Sequence, residues 1–245
     1  MVLPMWKRSL RLLCLAVLPL AVSPSAQAIP EAEALEKLSV IPVHLVVDAK
    51  GVPVPIPRKQ SLLLPLYLER ERAVVELARI RDRSPSLGLA LATMPLSEAN
   101  RLLSSLQKDL KPGLSLTAPV VPRRQDLEKG AALLKEKGLS EPQIRKGLTV
   151  PVFYTRPFLT ISTPQGERGL LFLSHADLQR ALAGQSNPTA RRVEVSDITA
   201  VLRKLMQAPQ DLFVFVPPQS DASAPPRAAS PLKRPASAPP PLPSP

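Results

Sequence analysis

Between residues 31 and 216 the apolar positions switch from a period of two to a helical period, and they do so twice in the same order. The β-branched run from Pro42 to Asp48 predicts a strand. Asp48-Ala-Lys-Gly51 predicts a turn that folds it back on Val52 to Ile56. Pro53, Pro55 and Pro57 fall at alternate positions, so the returning strand has to be an edge or a distorted one. Ala73, Leu77 and Ile80 then mark one helical face. A buried strand is expected over Leu87 to Met94, and a helix follows it with Ala99, Leu102, Leu103 and Leu106 on its stripe.

The second passage repeats this plan. Strands are expected over Val150 to Thr155, Phe158 to Thr163 and Gly169 to Leu173, with a turn at Pro164-Gln-Gly166. Leu178, Ala181 and Leu182 form the next helical face; Ser174 with Asp177 reads as its cap, and Gly184 as its left-handed stop. Arg191 to Val195 is a strand, and Ile198, Val201, Leu202 and Leu205 form the last stripe before a strand over Leu212 to Val216. Ser97 and Ser196 both read as N-caps, each followed by an acid that suits the positive helix end.

The two passages align as copies. Ile41-Pro-Val-His-Leu45 matches Val150-Pro-Val-Phe-Tyr154, and Leu66 to Leu77 matches Leu171 to Leu182. Leu96 to Leu103 matches Val195 to Leu202. The repeat is far longer than the roughly 20–50 residues of a solenoid unit. The expected fold is therefore α+β: two pseudo-symmetric repeats of mixed β-sheet with flanking helices, the first over about 29–110 and the second over about 148–216. The connector between them carries a strand candidate, Leu114 to Val121, and a helix with Leu127, Ala131 and Leu134 on one face, stopped at Gly138. Ser140-Glu-Pro142 starts a short helical turn.

The ends differ in kind. Lys7, Arg8 and Arg11, the apolar run Leu12 to Val22 and Ala26-Gln27-Ala28 form the three parts of an export signal, with Ile29 as the expected mature start. The apolar run is shorter than the roughly 20 residues of a spanning helix, so no stable membrane span is expected. Cys14, the only cysteine, lies within the signal, which removes disulfide and thiol chemistry from the mature chain. From Pro217 to Pro245 the chain is rich in Pro, Ala and Ser and reads as a disordered tail.

The net charge is +12, yet basic residues alternate with acids and aromatics make up only 3% of the chain. That combination argues against nucleic acid as a partner. His44 and His175 are the only histidines, and neither belongs to a metal-spaced or triad-like group. No phosphate-binding glycine loop or nucleophile elbow is present. No enzyme activity, cofactor or metal is expected.

Apolar surface is what remains. Val43, Leu45 and Val47 oppose Val46 on one strand, and Phe153-Tyr154 and Phe158-Leu159 crowd the second half. Such strands fit a sheet covered by helices on both sides. They also fit, as the second reading, a sheet with helices on one face and an apolar groove on the other, able to bind extended polypeptide. On the second reading Leu45, Val47, Tyr154, Phe158 and Leu159 are the candidate binding residues, with Tyr154 on the groove side and Phe153 in the core.

Gly147-Leu-Thr-Val-Pro-Val-Phe153 resembles the G-V-P-V-F segment of the twenty-two-kilodalton Tic family of chloroplast import and its cyanobacterial periplasmic relatives. Ile29-Pro-Glu31, Glu36-Lys-Leu38, Ile41-Pro-Val43 and Asp48-Ala-Lys-Gly51 are similar to the start of the family's mature domain. Leu170-Leu-Phe172 and Val193 to Met206 are similar to its C-terminal half. The Pro53-Val-Pro55-Ile-Pro57 stretch and the Pro/Ala tail depart from its pattern. The resemblance implies a duplicated α+β fold with apolar pockets and no catalytic residues. It also implies a chaperone or transport factor that escorts unfolded outer-membrane precursors through the periplasm, or thylakoid lumen, toward an Omp85-type assembly machine. The alternative is a structural envelope protein tethered to cell wall or anionic lipid through its basic surface and tail.

Overall fold

The computed structural model describes residues 29–59, 61–185, 190–208 and 212–219. The expected signal and nearly all of the proline-rich tail lie outside them.

Each half is built around a central strand with an antiparallel neighbour on either side. In the first half this strand is β1 (Pro42–Val47), which lies between β4 (Leu66–Tyr67) and β5 (Ala90–Pro95). In the second it is β8 (Pro151–Arg156), between β10 (Gly166–Phe172) and β11 (Arg192–Asp197). The registers correspond: His44 opposes Tyr67 where Phe153 opposes Phe172, and Pro42 opposes Pro95 where Pro151 opposes Asp197. Helix α2 (Arg70–Arg83) follows β4 as α6 (His175–Ala183) follows β10. Helix α3 (Leu96–Lys108) leaves β5 as α7 (Ile198–Gln207) leaves β11.

The first two matched segments hold in three dimensions. The third is displaced by one step of three residues. Leu96 N–H donates to the Ile41 carbonyl at 2.8 Å, and Ile198 N–H donates to the Val150 carbonyl at 2.9 Å. Leu96 therefore corresponds to Ile198, not to Val195. A helical apolar stripe repeats every three or four residues, so a shift of three maps it onto itself. The same displacement removes both expected serine caps. Ser97 sits inside α3, buried and without a partner for its hydroxyl, and Ser196 belongs to a strand. Asp197 caps α7 instead, accepting from Thr199 N–H at 2.9 Å.

Other local expectations divide. Ser174 accepts from Asp177 N–H at 3.2 Å and caps α6. Gly184 ends that helix in the right-handed region, at φ −79°, not in the left-handed one. Asp48 accepts from the N–H groups of Lys50 and Val52 and makes the expected turn, in which Gly51 takes φ +80°. The returning strand is reduced to a bridge between Val47 and Pro53 because prolines supply no ladder donors. The strand expected over Leu87 to Met94 starts at Ala90 and lies half-exposed at a sheet edge, because Pro85–Leu87 forms a short 3-10 turn ended by Gly88 at φ +45°.

The connector is shared between the halves. Its strand candidate becomes β6 (Ser115–Thr117) and β7 (Val120–Val121); β7 pairs in parallel with β4, as β12 (Phe213–Val216) pairs with β10. Helices α4 (Arg124–Glu136) and α5 (Glu141–Gly147) pack on the second half, where Leu127, Ala131, Leu133, Leu134 and Ile144 join Phe153, Phe172 and Leu178. Gly138 ends the run after α4 at φ +85°, and Ser140 with Gln143 forms a capping box.

One core joins the two halves. Val43, Leu45 and Val47 of the first sheet meet Val152, Leu171 and Phe215 of the second, with α3 and α7 completing the cluster. The opposite face of β1 is covered as well: Val46 packs with Leu77 and Leu89 beneath α2. Both faces of the central strands are thus buried, which is why they read as continuous apolar runs.

Candidate functional site

Half-buried apolar residues line corresponding places in the two halves, and one exchange of residues sets their shapes. Leu64 N–H donates to Thr117 O at 2.8 Å, and Gly169 N–H donates to Leu212 O at 2.7 Å. Leu68 and Leu173 donate in the same way to Val121 O and Val216 O, at 3.0 and 3.4 Å. Leu64 therefore stands where the second half has Gly169, and Ala118 stands where it has Phe213.

In the first half the small Ala118 leaves space. An open cleft of about 310 Å³ lies between α3 and β6, lined by Leu103, Ser104, Gln107, Leu116 and Ala118. Gln107 fixes its wall by accepting from Leu116 N–H at 2.9 Å. In the second half Phe213 occupies the corresponding position and lies over Gly169. A Cβ on Gly169 would sit 2.9 Å from Phe213 Cδ1 and 3.2 Å from Phe158 Cδ1, so only glycine admits the rings.

Phe213 is the end of an aromatic row. Its ring centroid is 5.1 Å from that of Phe158, which stacks on Tyr154 at 5.3 Å with 20° between planes. The Arg156 guanidinium lies 5.9 Å from both the Tyr154 and the Phe158 centroids, close enough for cation–π attraction. Arg191 holds the loop beneath by donating to Pro157 O and Phe158 O at 2.9 and 2.7 Å.

Of the five candidate residues, Tyr154 and Phe158 are brought together and stay half-buried. Leu45 and Val47 are 0% and 5% exposed in the shared core, and Leu159 is 4% exposed in the second cluster. They form no open groove wall, because the strands that carry them are covered on both faces. Phe153 lies on the opposite side from Tyr154, fully buried. The pattern marks Leu103 only as part of a helix stripe, and Leu116, Ala118 and Phe213 only as strand positions, so none of the four is a candidate from sequence. Alternation in Phe213-Val-Phe215 would have marked one ring face, but nothing local pairs Phe213 with Phe158.

The buried polar groups have structural duties. Asp126 Oδ1 accepts from His175 N–H at 2.8 Å; burial pushes the Asp126 carboxyl up. His175 is half-buried with Phe153 edge-on at 5.3 Å, and desolvation lowers its pKa. Burial works to raise Glu194, but its bonds and charge pairing with Lys137 and Arg192 outweigh it and hold the carboxyl low. Asp197 is likewise held low against its burial, by bonds from Thr149, Val150 and Thr199. Among the described residues no group of three His, Cys, Asp or Glu could hold a metal ion, and no helix is long and apolar enough to cross a membrane.

Two helix-flanked mixed sheets, related by internal pseudo-symmetry and sharing one core, define a duplicated α+β protein with a partly apolar cleft in one half and an aromatic row in the other. No protein-family model and no curated protein sequence matches the chain. Among solved structures it is similar to Anabaena Tic22, a protein of protein transport, at 25% identity and a TM-score of 0.64, covering 79% of this chain and 95% of that one. Tic22 from Plasmodium falciparum has the same fold at 18% identity and a TM-score of 0.61, covering 77% of this chain and 93% of that one. The chain shares the fold of these Tic22 structures, in agreement with the resemblance its motifs carry.

Proposed function

We propose that this protein is a non-enzymatic protein-transport factor that holds unfolded outer-membrane precursors in an exported compartment, the periplasm or the thylakoid lumen. The observation that carries this reading is the open cleft of about 310 Å³ between α3 and β6, where Leu103, Leu116 and Ala118 form the apolar wall and Ser104 and Gln107 the polar one. A concave surface with an apolar wall and polar groups beside it suits an extended segment of alternating apolar and polar side chains. The half-buried Tyr154–Phe158–Phe213 row offers a second, flatter contact, and Arg156 beside it adds a charge for acidic flanks of a client. The protein-transport role of Anabaena Tic22 supports the assignment. Delivery to an Omp85-type assembly machine completes the proposed route.

The test is retention of a urea-unfolded porin in solution after dilution, measured by light scattering and by equilibrium binding. Ala118→Phe places a ring in the cleft as Phe213 does in the second half. It should weaken client binding about tenfold, or about 1.4 kcal/mol, without loss of fold. Tyr154→Ala should weaken binding by about 1–2 kcal/mol, the scale of an aromatic anchor. Unchanged binding in both variants would overturn the reading. Salt-sensitive sedimentation with cell wall in place of client binding would instead favour a tethering protein, since exposed charge contacts are screened.

A further inference from the structure

The two outer strands β5 and β11 occupy corresponding places, each paired on one side only, yet they are finished differently. Strand β11 reads Arg-Val-Glu-Val-Ser-Asp. Glu194 is tied to Lys137 and, at 2.7 Å, to Arg192, so charge and a bound lysine blunt that edge. Strand β5 reads Ala-Leu-Ala-Thr-Met-Pro and carries no charge.

The backbone groups on the β5 edge follow from its register. Pro42 opposes Pro95, and neither has an N–H, so this is a non-hydrogen-bonded pair. Alternation then makes Val43–Met94, Leu45–Ala92 and Val47–Ala90 the hydrogen-bonded pairs, in agreement with the Leu96 N–H to Ile41 O bond that continues the ladder. The N–H and C=O groups of Leu91 and Thr93 therefore point outward from the sheet. At the next outward position Leu89 O is taken by the Arg81 guanidinium, and at the other end Pro95 offers no donor. The available edge is two residues long and sharply bounded.

Helix α2 overhangs this edge. Its buried face is Ala73 and Leu77. Arg81 reaches Leu89 O beside β5, and Val74, two helical turns earlier, lies on the same side with 42% exposure. Exposed Arg70, one turn before Val74, completes a flank that is apolar in the middle and basic at its ends.

We propose that β5 is a strand-addition site, and that its occupant is an extended segment of an unfolded client, alternating apolar and polar, neutral at its centre and acidic at its flanks. Such a segment would exchange main-chain bonds with Leu91 and Thr93 and set alternate side chains against Val74. A second copy of this chain fits less well, because the dyad would bring two basic α2 flanks together. The inference rests on the client-binding reading above, and it names where a strand, as opposed to an apolar side-chain cluster, is held.

A peptide of alternating Val and Thr with Glu at each end, and the same peptide N-methylated at the amides of one edge, test this. In the complex, amide hydrogen exchange at Leu91 and Thr93 should slow several-fold. N-methylation should weaken binding about tenfold, as should Ala90→Lys and Val74→Lys, with thermal midpoints unchanged. Peptide binding that leaves Leu91 and Thr93 exchange unchanged and is lost in Ala118→Phe would overturn the edge site while keeping the carrier reading. Strand addition in a protein that fails to keep a urea-unfolded porin in solution would keep the edge and remove the carrier reading. Protection of both amides in the free protein, rising with its concentration, would assign the edge to a second copy and overturn the proposal. No peptide binding by the unaltered chain would overturn it as well.

Discussion

The two halves of the molecule use one strand order and one pair of ladders, yet the first keeps a cleft that the second fills. Leu64 with Ala118 in one half replaces Gly169 with Phe213 in the other, so side-chain volume has moved from one strand to its neighbour. The sheets differ accordingly. In the second half β10 runs unbroken from Gly166 to Phe172 within a five-stranded sheet. In the first, Pro65 separates β3 (Ser61–Leu63) from β4 and Pro119 separates β6 from β7, so β2 (Ile56–Arg58), β3 and β6 form a small sheet of their own. A missing proline donor ends a ladder, and two such breaks at facing positions let one sheet split without leaving many orphaned groups. Duplication thus conserved the frame and freed its rim to diverge.

That comparison can be broken most directly at Phe153. Its ring is fully buried among Leu178, Leu182 and Phe172, and Phe153→Ala should cost about 3–5 kcal/mol, read as a fall in the urea midpoint. A cost near zero would mean that the second cluster does not support its half. Next in size is Gly169→Leu, which copies Leu64 into a site already filled by rings. Overpacking should cost about 1–3 kcal/mol. Adding Phe213→Ala should restore much of the loss and open a cleft in the second half, detectable as new client binding. Additive losses in the double variant would refute the volume exchange.

Asp197 and Pro95 provide a gentler contrast, since only the second half has a carboxylate at this corner. Asp197→Ala should cost about 1–2 kcal/mol at neutral pH, the range for losing a good cap. Because the folded carboxyl is held below its usual value, its contribution is full above the unfolded pKa of about 3.9 and lost as pH falls through the folded one. The gap between variant and parent should therefore close in acid. A gap independent of pH would assign the loss to packing. The smallest effect belongs to Ser97→Ala. Its hydroxyl is buried without a partner and caps nothing, so removal should change stability by less than about 0.5 kcal/mol.

Periodicity alone carried the strands Pro42–Val47 and Pro151–Arg156, the five apolar helix stripes and the duplication, because each depends on contacts a few residues apart or on patterns that recur. The likeness to Tic22 was likewise legible in short motifs around Gly147 to Phe153. The phase of α3 against α7 was not, since a three-residue slip leaves a helical stripe unchanged. Backbone bonds from Leu96 and Ile198 fixed it. Nor could sequence choose between covered and open strands. Leu45 and Val47 would suit either, and the joining of the two halves in one core buried them. Whether Ala118 lines a cleft or Phe213 fills one depends on the residue facing it across the strand pair, about fifty residues away in sequence. Chemistry of that kind resides in long-range register, which local pattern leaves undetermined and tertiary packing decides.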